Sequence, residues 1–366
     1  MSTTHENKSD IQPEHDHSDE WREIVEQAFH QHTPLHVVGG GTKTFYGCPV
    51  QGKLFPVASH SGVITYEPTE LVVTARAGTP LRDLEQVLAS QGQMFAFEPP
   101  HFGLGATLGG VIASGLSGPR RPFSGALRDF VLGVRCINGK GEVLKFGGQV
   151  MKNVAGYDIS RLLAGSLGTL AVLLEVSVKV LPKPQQELTL VFKKDPQEAL
   201  LAMNAWAARP LPLSAACYVD GRVYLRLAGN DHALQAARKK IGGDLVPEGD
   251  LFWQSVREQI HEFFTCDDTP VWRLSLAPNT PMLDLSGHWM LDWGGAQRWF
   301  KSDLDEYEIR AAVTAVGGHA TLFRGGDRNG MVFQPLPPAL KTLQQRLKKA
   351  FDPIGILNPD HMYKDE

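Results

Sequence analysis

The sequence predicts an α+β fold in two parts, on three observations. Four glycine-rich segments follow one another in the first half: Gly39 to Gly41, Gly103 to Gly118, Gly139 to Gly156, and Gly165 to Gly168. Pro182 and Pro184 then punctuate the chain, and glycine thins out. Beyond them the pattern becomes strand–helix–strand–strand–helix, the signature of an antiparallel sheet layered with helices.

The elements follow in order. Residues 1–18 are polar, lack apolar periodicity and read as a disordered tail. Trp21, Ile24, Val25, Ala28 and Phe29 recur at helical spacing. Leu35 to Val38 reads as a strand entering Gly39-Gly40-Gly41-Thr42-Lys43, with further strands near Gly62–Tyr66 and Leu71–Ala77. Thr79 is read as an N-cap and Pro80 as the first helical residue of a helix carrying Leu81, Leu84 and Leu88. Phe130–Ile137 and Glu142–Phe146 flank Asn138-Gly139-Lys140-Gly141, a hairpin signature. Leu170 to Val180 alternates, placing Val172, Leu174, Val176, Val178 and Val180 on one face of a long strand.

In the second part, strands are expected at Leu188–Phe192, Ala215–Val219 and Arg222–Leu227, the last two joined across Asp220-Gly221. Asp195-Pro196 opens a helix running to Trp206, and another covers Asp231–Ile241. Strands near Val271–Leu276, His288–Asp292 and His319–Phe323 and a helix Asp303–Val316 repeat the mixture. A final amphipathic helix around Leu340, Leu343 and Leu347 precedes Phe351-Asp352-Pro353-Ile354-Gly355-Ile356-Leu357-Asn358-Pro359. The expected division is 1–18 tail, 19–184, 185–335 and 336–366.

Composition narrows the function. The net charge of −4, with 21% charged residues, offers no basic field for nucleic acid or anionic lipid. The cysteines, Cys48, Cys136, Cys217 and Cys266, are widely spaced with no C-x-x-C pair, against an iron–sulfur cluster, structural zinc or disulfide framework in this chain. The N-terminus is not a secretory signal, and Leu167 to Leu181 is too short and too charged to span a bilayer.

Repeated glycine turns at strand ends let backbone N–H groups approach a diphosphate where no Cβ intrudes, which points to a nucleotide cofactor. The loop is not a Rossmann fingerprint: Phe45, Tyr46, Gly47 and Pro49 follow it and open no helix. No Walker-type G-x-x-x-x-G-K-[ST] occurs.

Val38 to Lys43, Pro68-Thr69-Glu70-Leu71-Val72-Val73, Ala77-Gly78-Thr79-Pro80-Leu81, Thr107-Leu108-Gly109-Gly110 and Gly165-Ser166-Leu167-Gly168-Thr169-Leu170 together resemble the FAD-binding domain of the vanillyl-alcohol-oxidase/p-cresol methylhydroxylase (PCMH) flavoproteins. Gly118-Pro119-Arg120-Arg121-Pro122-Phe123-Ser124-Gly125 and Val150 to Asp158 are more closely similar to the FAD-binding E subunits of bacterial glycolate oxidases. The resemblance is dense from Pro34 to Pro184 and returns at Phe351 to Tyr363. It implies a two-lobed PCMH-type FAD-binding domain, a smaller α+β cap and a C-terminal segment returning to the flavin domain.

Carried over residue by residue, the resemblance implies FAD contacts from Gly39, Gly40, Gly41, Thr42 and Lys43, and from Pro100, Thr107, Leu108, Gly109, Gly110 and Ser114. It also implies contacts from Gly165, Gly168, Thr169 and Val172, with Asn358 approaching the isoalloxazine. Covalent members carry a histidine where this chain has Thr42, so non-covalent FAD is expected. The implied role is an oxidoreductase subunit acting on glycolate or a similar D-2-hydroxy acid, with a sister FAD subunit and an iron–sulfur subunit as partners. The implied location is cytoplasmic, with peripheral attachment at the inner membrane through the complex left open. A self-sufficient flavin oxidoreductase and a non-catalytic assembly subunit are the alternatives.

The run His319 to Met331 lacks the histidine pair of catalytic relatives, and no catalytic residue or metal ligand is assigned. His319, Arg324 and Asp327 are a candidate set for a hydroxy acid, set against a solvated turn. Arg120 and Arg121 are candidates for phosphate or substrate, set against a surface pair or partner contact. Trp289, Trp293 and Trp299 are read either as flavin-pocket or as core aromatics.

Overall fold

The computed structural model of the chain describes residues 16–148 and 159–364. Most of the expected tail and the Val150–Asp158 motif lie outside the described residues.

Helix Ser18–Gln31 buries Trp21, Val25 and Ala28 against Leu35, Phe55 and Ile137. Leu35–Val38 pairs in parallel with Lys53–Pro56, a strand the sequence pattern does not announce. The C-terminal segment joins the same small lobe: the Leu35 amide donates to Ile356 O at 2.7 Å, and the Asn358 amide donates to Leu35 O at 3.0 Å.

The second lobe is a five-stranded antiparallel sheet in the order Val63–Glu67, Val72–Arg76, Ala171–Lys179, Val131–Asn138, Val143–Gly147. Helices Leu81–Ser90 and Leu108–Ser114 cover it, packing Leu81, Leu84, Leu88, Val111 and Ile112 onto Val73, Val176 and Val178. Two details differ from expectation. Thr79 does not cap its helix; its hydroxyl donates to Arg76 O at 2.7 Å and accepts the Gly62 amide at 2.9 Å. The helix N-terminus is met instead by Ala106 O, which takes the Leu81 amide at 2.8 Å.

The second difference is in Ala171–Lys179. Arg135 pairs with Glu175 but Cys136 pairs with Leu173, so a bulge falls at Leu174. A one-residue slip exchanges the two faces of a strand. Val172 and Leu174 therefore pack with Trp21, whereas Val176, Val178 and Val180 enter the core on the opposite side.

The second part is an eight-stranded antiparallel sheet in the order Asp244–Val246, Gln186–Lys193, Arg222–Gly229, Leu213–Val219, His288–Asp292, Gln297–Lys301, Val271–Ser275, His319–Arg324. Asp195 caps helix Pro196–Ala207 by accepting the Glu198 amide at 2.8 Å. That helix and Asp231–Ile241 pack on one stretch of the sheet, and Glu306–Ala315 packs on another. Gln297–Lys301 is buried along its whole length despite its charges, which is why alternation does not reveal it. Arg298 is accommodated by carbonyls, with Nε to Gly295 O at 3.1 Å and Nη1 to Pro281 O at 2.9 Å.

The two parts meet through Tyr46, Leu116 and Leu167 against Trp253, Trp299 and Phe323. A buried ion network reinforces the contact. Arg120 Nε donates to Glu98 at 3.2 Å, and Arg226 Nη2 reaches both Glu98 oxygens at 2.8 and 3.0 Å. Glu187 bonds Arg120 from the sheet side. Arg120 is thus an internal ion-pair residue, and Arg121 lies over the Trp293 ring at 4.3 Å.

Candidate functional site

A cleft of about 370 Å³ runs between the small lobe and the five-stranded sheet. Of the residues singled out from sequence, Gly39, Gly40, Gly41, Thr42, Lys43, Thr107, Gly109, Gly110, Ser114, Gly168 and Asn358 line it. The strand Leu35–Val38 and the turn after it form one wall; helix Leu108–Ser114 and the Ser166–Gly168 turn form others.

The first glycine turn and the Thr107 turn do different chemistry. Among the described residues no acceptor meets the amides of Gly39, Gly40, Gly41, Thr42 or Lys43. Gly39, Thr42 and Lys43 are half-buried and Gly40 and Gly41 are exposed. A run of N–H groups with no protein acceptor along a cleft wall is a concavity suited to an anion. Gly41 adopts φ +69°, and a Cβ there would meet nothing within 4 Å, so its glycine serves the turn. The Lys43 ammonium adds a cation to the same wall, hydrogen-bonded to His101 O at 3.2 Å and to Thr42 Oγ1 at 3.3 Å. Burial draws its pKa down to about 8, against the opposing pull of the Glu258 carboxylate.

At the Thr107 turn the amides are already engaged. Leu108 donates to Thr79 O at 2.9 Å, Gly109 to Ala77 O at 2.6 Å and Gly110 to Thr107 Oγ1 at 3.2 Å. A Cβ on Gly109 would stand 2.9 Å from the Ala77 Cβ, so this glycine brings helix and strand together. The turn shapes the cleft floor and leaves the amide donors to the first loop.

Asn358 lines the cleft as a latch. Its Oδ1 accepts the Val37 amide at 2.7 Å and its Nδ2 donates to Leu167 O at 2.9 Å, joining opposite walls. Leu108, Gly165, Thr169, Val172 and Pro100 stand off the cleft. Leu108 is core, and Gly165 is packed against Gly115. Thr169 bonds Ser166 O through its hydroxyl and Lys348 through its carbonyl. Val172 faces Trp21, while its neighbours Ala171 and Leu173 line the cleft. Pro100 borders a separate small pocket with Leu116 and Trp299.

Sequence reasoning missed His36, Tyr46, Cys48, Leu167 and His361, all cleft-lining. His361 Nδ1 meets Cys48 O at 2.6 Å, and burial lowers the imidazole's pKa. Its only sequence signal was its place just after the C-terminal motif. Leu167 sits inside a quoted motif but takes φ +53°, a strained conformation that marks it as tightly fitted.

The other candidates are not assembled into a site. His319 and Arg324 lie at opposite ends of one strand; Arg324 Nη2 bonds Gln259 at 3.1 Å and lies over Phe45 at 4.2 Å. Trp289 stacks on Phe300, Trp299 packs against Phe323, and Trp293 Nε1 donates to Gly118 O at 3.0 Å. No helix among the described residues is long and apolar enough to cross a membrane.

The profile of a family described as "FAD binding domain" matches residues 12–147. Among solved structures, p-cresol methylhydroxylase with substrate bound superposes with a TM-score of 0.68 at 14% identity, over 95% of this chain and 87% of that one. Alkyldihydroxyacetonephosphate synthase gives 0.65 at 16% identity, over 94% and 74%. Fold and cleft together define a PCMH-type FAD-binding fold. The chain is 48% identical over 350 residues to glycolate oxidase subunit GlcE of Escherichia coli, covering 96% of this chain and 98% of that protein, and it belongs to that family. It is also 30% identical to a D-lactate dehydrogenase of Archaeoglobus fulgidus, over 93% of this chain and 88% of that protein.

Proposed function

We propose that this chain is the FAD-binding subunit of a glycolate-oxidising complex, acting on glycolate or a similar D-2-hydroxy acid to give the 2-oxo acid. The observation that carries the reading is the row of acceptor-less amides at Gly39–Lys43, beside a lysine, in a chain similar to GlcE over nearly its whole length.

FAD, when bound, supplies the two-electron acceptor. The chain's own residues hold and shield it. The first-loop amides and Lys43 receive the diphosphate charge. Asn358 fixes the spacing of the walls, and Tyr46 and Leu167 exclude water where the two parts meet. Thr42 has no ring nitrogen to attack a flavin, in keeping with a non-covalent cofactor. On this reading electrons leave through partners, a sister FAD subunit and an iron–sulfur subunit; among the described residues the cysteines, Cys48, Cys136 and Cys217 buried and Cys266 exposed, form no cluster site. The reading extends to a cytoplasmic protein whose contact with the inner membrane is made by those partners.

Likeness to a D-lactate dehydrogenase over most of both chains favours a second reading, a self-sufficient oxidoreductase. Anaerobic mixing of the purified chain with glycolate or D-lactate separates the two. The subunit reading expects bleaching of the flavin only in the assembled complex. Full-rate bleaching by the lone chain overturns it, and so does full activity in a complex where this chain carries no flavin.

A further inference from the structure

Lys43 is connected to the second part of the chain through two backbone residues. Its ammonium donates to His101 O at 3.2 Å and lies over the Phe102 ring, 5.5 Å from the centroid. The amides of His101 and Phe102 both donate to one carboxylate oxygen of Glu258, at 3.0 and 2.9 Å. The other Glu258 oxygen accepts Arg257 Nε at 2.7 Å. Glu258 ends helix Gly249–Arg257, which belongs to the second part. Phe102 is held at φ +54°, a conformation an aromatic residue adopts only when its surroundings impose it.

Two amides converging on one carboxylate oxygen are charge-assisted bonds, shorter and stronger than neutral ones. The Phe102 amide belongs to the same peptide unit as His101 O, so its bond to Glu258 polarises the carbonyl that faces Lys43, and bonds in such a chain reinforce one another. Among the described residues no carboxylate lies within 4 Å of Lys43, so Glu258 acts on it at one remove. The other ionisable groups around this point are His101, whose ring meets Glu85 at 3.0 Å, Arg257 on the far oxygen of Glu258, and Arg324, over the Phe45 and Phe102 rings. Arg324 opposes the lysine charge, which leaves Glu258 as the group that favours it.

We infer that Glu258 is a positioning residue for the cofactor cleft: through the His101–Phe102 loop it holds Lys43 on the cleft wall as a cation. A shift of the second part then changes how the first loop grips an anionic cofactor. The inference rests on the FAD reading above.

The test is FAD titration of the flavin-stripped full chain from pH 6 to 10, by quenching of flavin fluorescence. A bound diphosphate raises the lysine pKa, so affinity is highest while free Lys43 is protonated and weakens as pH rises through about 8, by at most about tenfold per pH unit for one proton. In Glu258→Gln, which keeps an acceptor and removes the charge, the weakening begins at lower pH. In Arg257→Met, which removes a neighbouring cation, it begins at higher pH. Lys43→Met shows no weakening in this window. A Glu258→Gln chain with wild-type circular dichroism and an unchanged pH profile overturns the inference, as does a profile that survives Lys43→Met. Should Glu258→Gln fail to fold, an Arg257→Met profile identical to wild type overturns it. Wild-type chain that takes up no FAD at any pH removes the FAD reading itself.

Discussion

Gly40 crosses Gly105 backbone to backbone: a Cβ on Gly40 would coincide with the Gly105 carbonyl, and one on Gly105 would stand 2.8 Å from the Gly40 carbonyl oxygen. The crossing locks the first glycine loop onto the segment leading to Thr107, so the cleft wall and its floor are set by one contact. Neither partner tolerates a side chain, and each is a glycine for the sake of the other.

Gly40→Ala therefore forces the loops apart. The expected outcome is a chain that loses bound flavin and is destabilised by about 1–3 kcal/mol or more. Gly229→Ala is the control, because a Cβ there lies 4.0 Å from Ala233 and Pro212. Flavin absorbance per chain and urea unfolding of both variants check this; Gly40→Ala with full flavin content would refute the role of the crossing.

Asn358 joins two walls, so Asn358→Ala strands the Val37 amide and the Leu167 carbonyl together. Orphaning the buried Leu167 carbonyl costs about 1–3 kcal/mol, and the half-buried Val37 amide adds less. Asn358 also sits at φ +40°, which asparagine tolerates better than alanine. A lower midpoint in urea with faster loss of FAD is expected, and unchanged FAD release would show that the latch is dispensable.

Lys348 is a buried lysine bonded to Asp352 at 2.8 Å, Thr169 O at 2.7 Å and Leu357 O at 3.0 Å. Asp352 also accepts the amides of Ile356 and Leu357, which carry the chain back to Leu35. Lys348→Met leaves Asp352 buried and unpaired, at a cost of about 3–5 kcal/mol. The double variant Lys348→Met/Asp352→Asn recovers part of this. Equal losses in the single and double variants would contradict the pairing.

Asp292 is buried between the Trp293 amide at 2.8 Å and the Gln297 side chain at 3.1 Å. Burial, with Glu98 adding repulsion, raises its carboxyl from 3.8 to about 7. The folded value is the higher one, so the fold favours the protonated acid. Stability from this group is then greatest near pH 4 and declines as pH rises to about 7. Asp292→Asn removes that dependence: its melting temperature gains on wild type across this interval and stays level above it. A gain that is the same at pH 4 and pH 8 would rule the account out.

Much of this was legible in the sequence because glycine loops and strand periodicity reflect backbone demands. The Gly39–Lys43 turn, the Asn138–Gly141 hairpin and the alternating second part carry direct signals. Val172 was not legible: the bulge at Leu174 follows from pairing with Cys136 and Arg135, a contact no local window contains. Thr107, Gly109 and Gly110 line the cleft, but the Leu108 and Gly109 amides are taken by Thr79 O and Ala77 O, contacts distant in sequence, and the Gly110 amide by Thr107 Oγ1. The network of Glu98, Arg120, Glu187 and Arg226 joins residues far apart in the chain, so Arg120 looked like a surface or ligand charge. His361 entered the cleft only through the C-terminal return to Leu35.

The most direct measurement counts flavin on the purified native protein and then on its acid supernatant. The account predicts one FAD per chain, all of it released from the precipitate. Chain that remains colourless after incubation with excess FAD would contradict it.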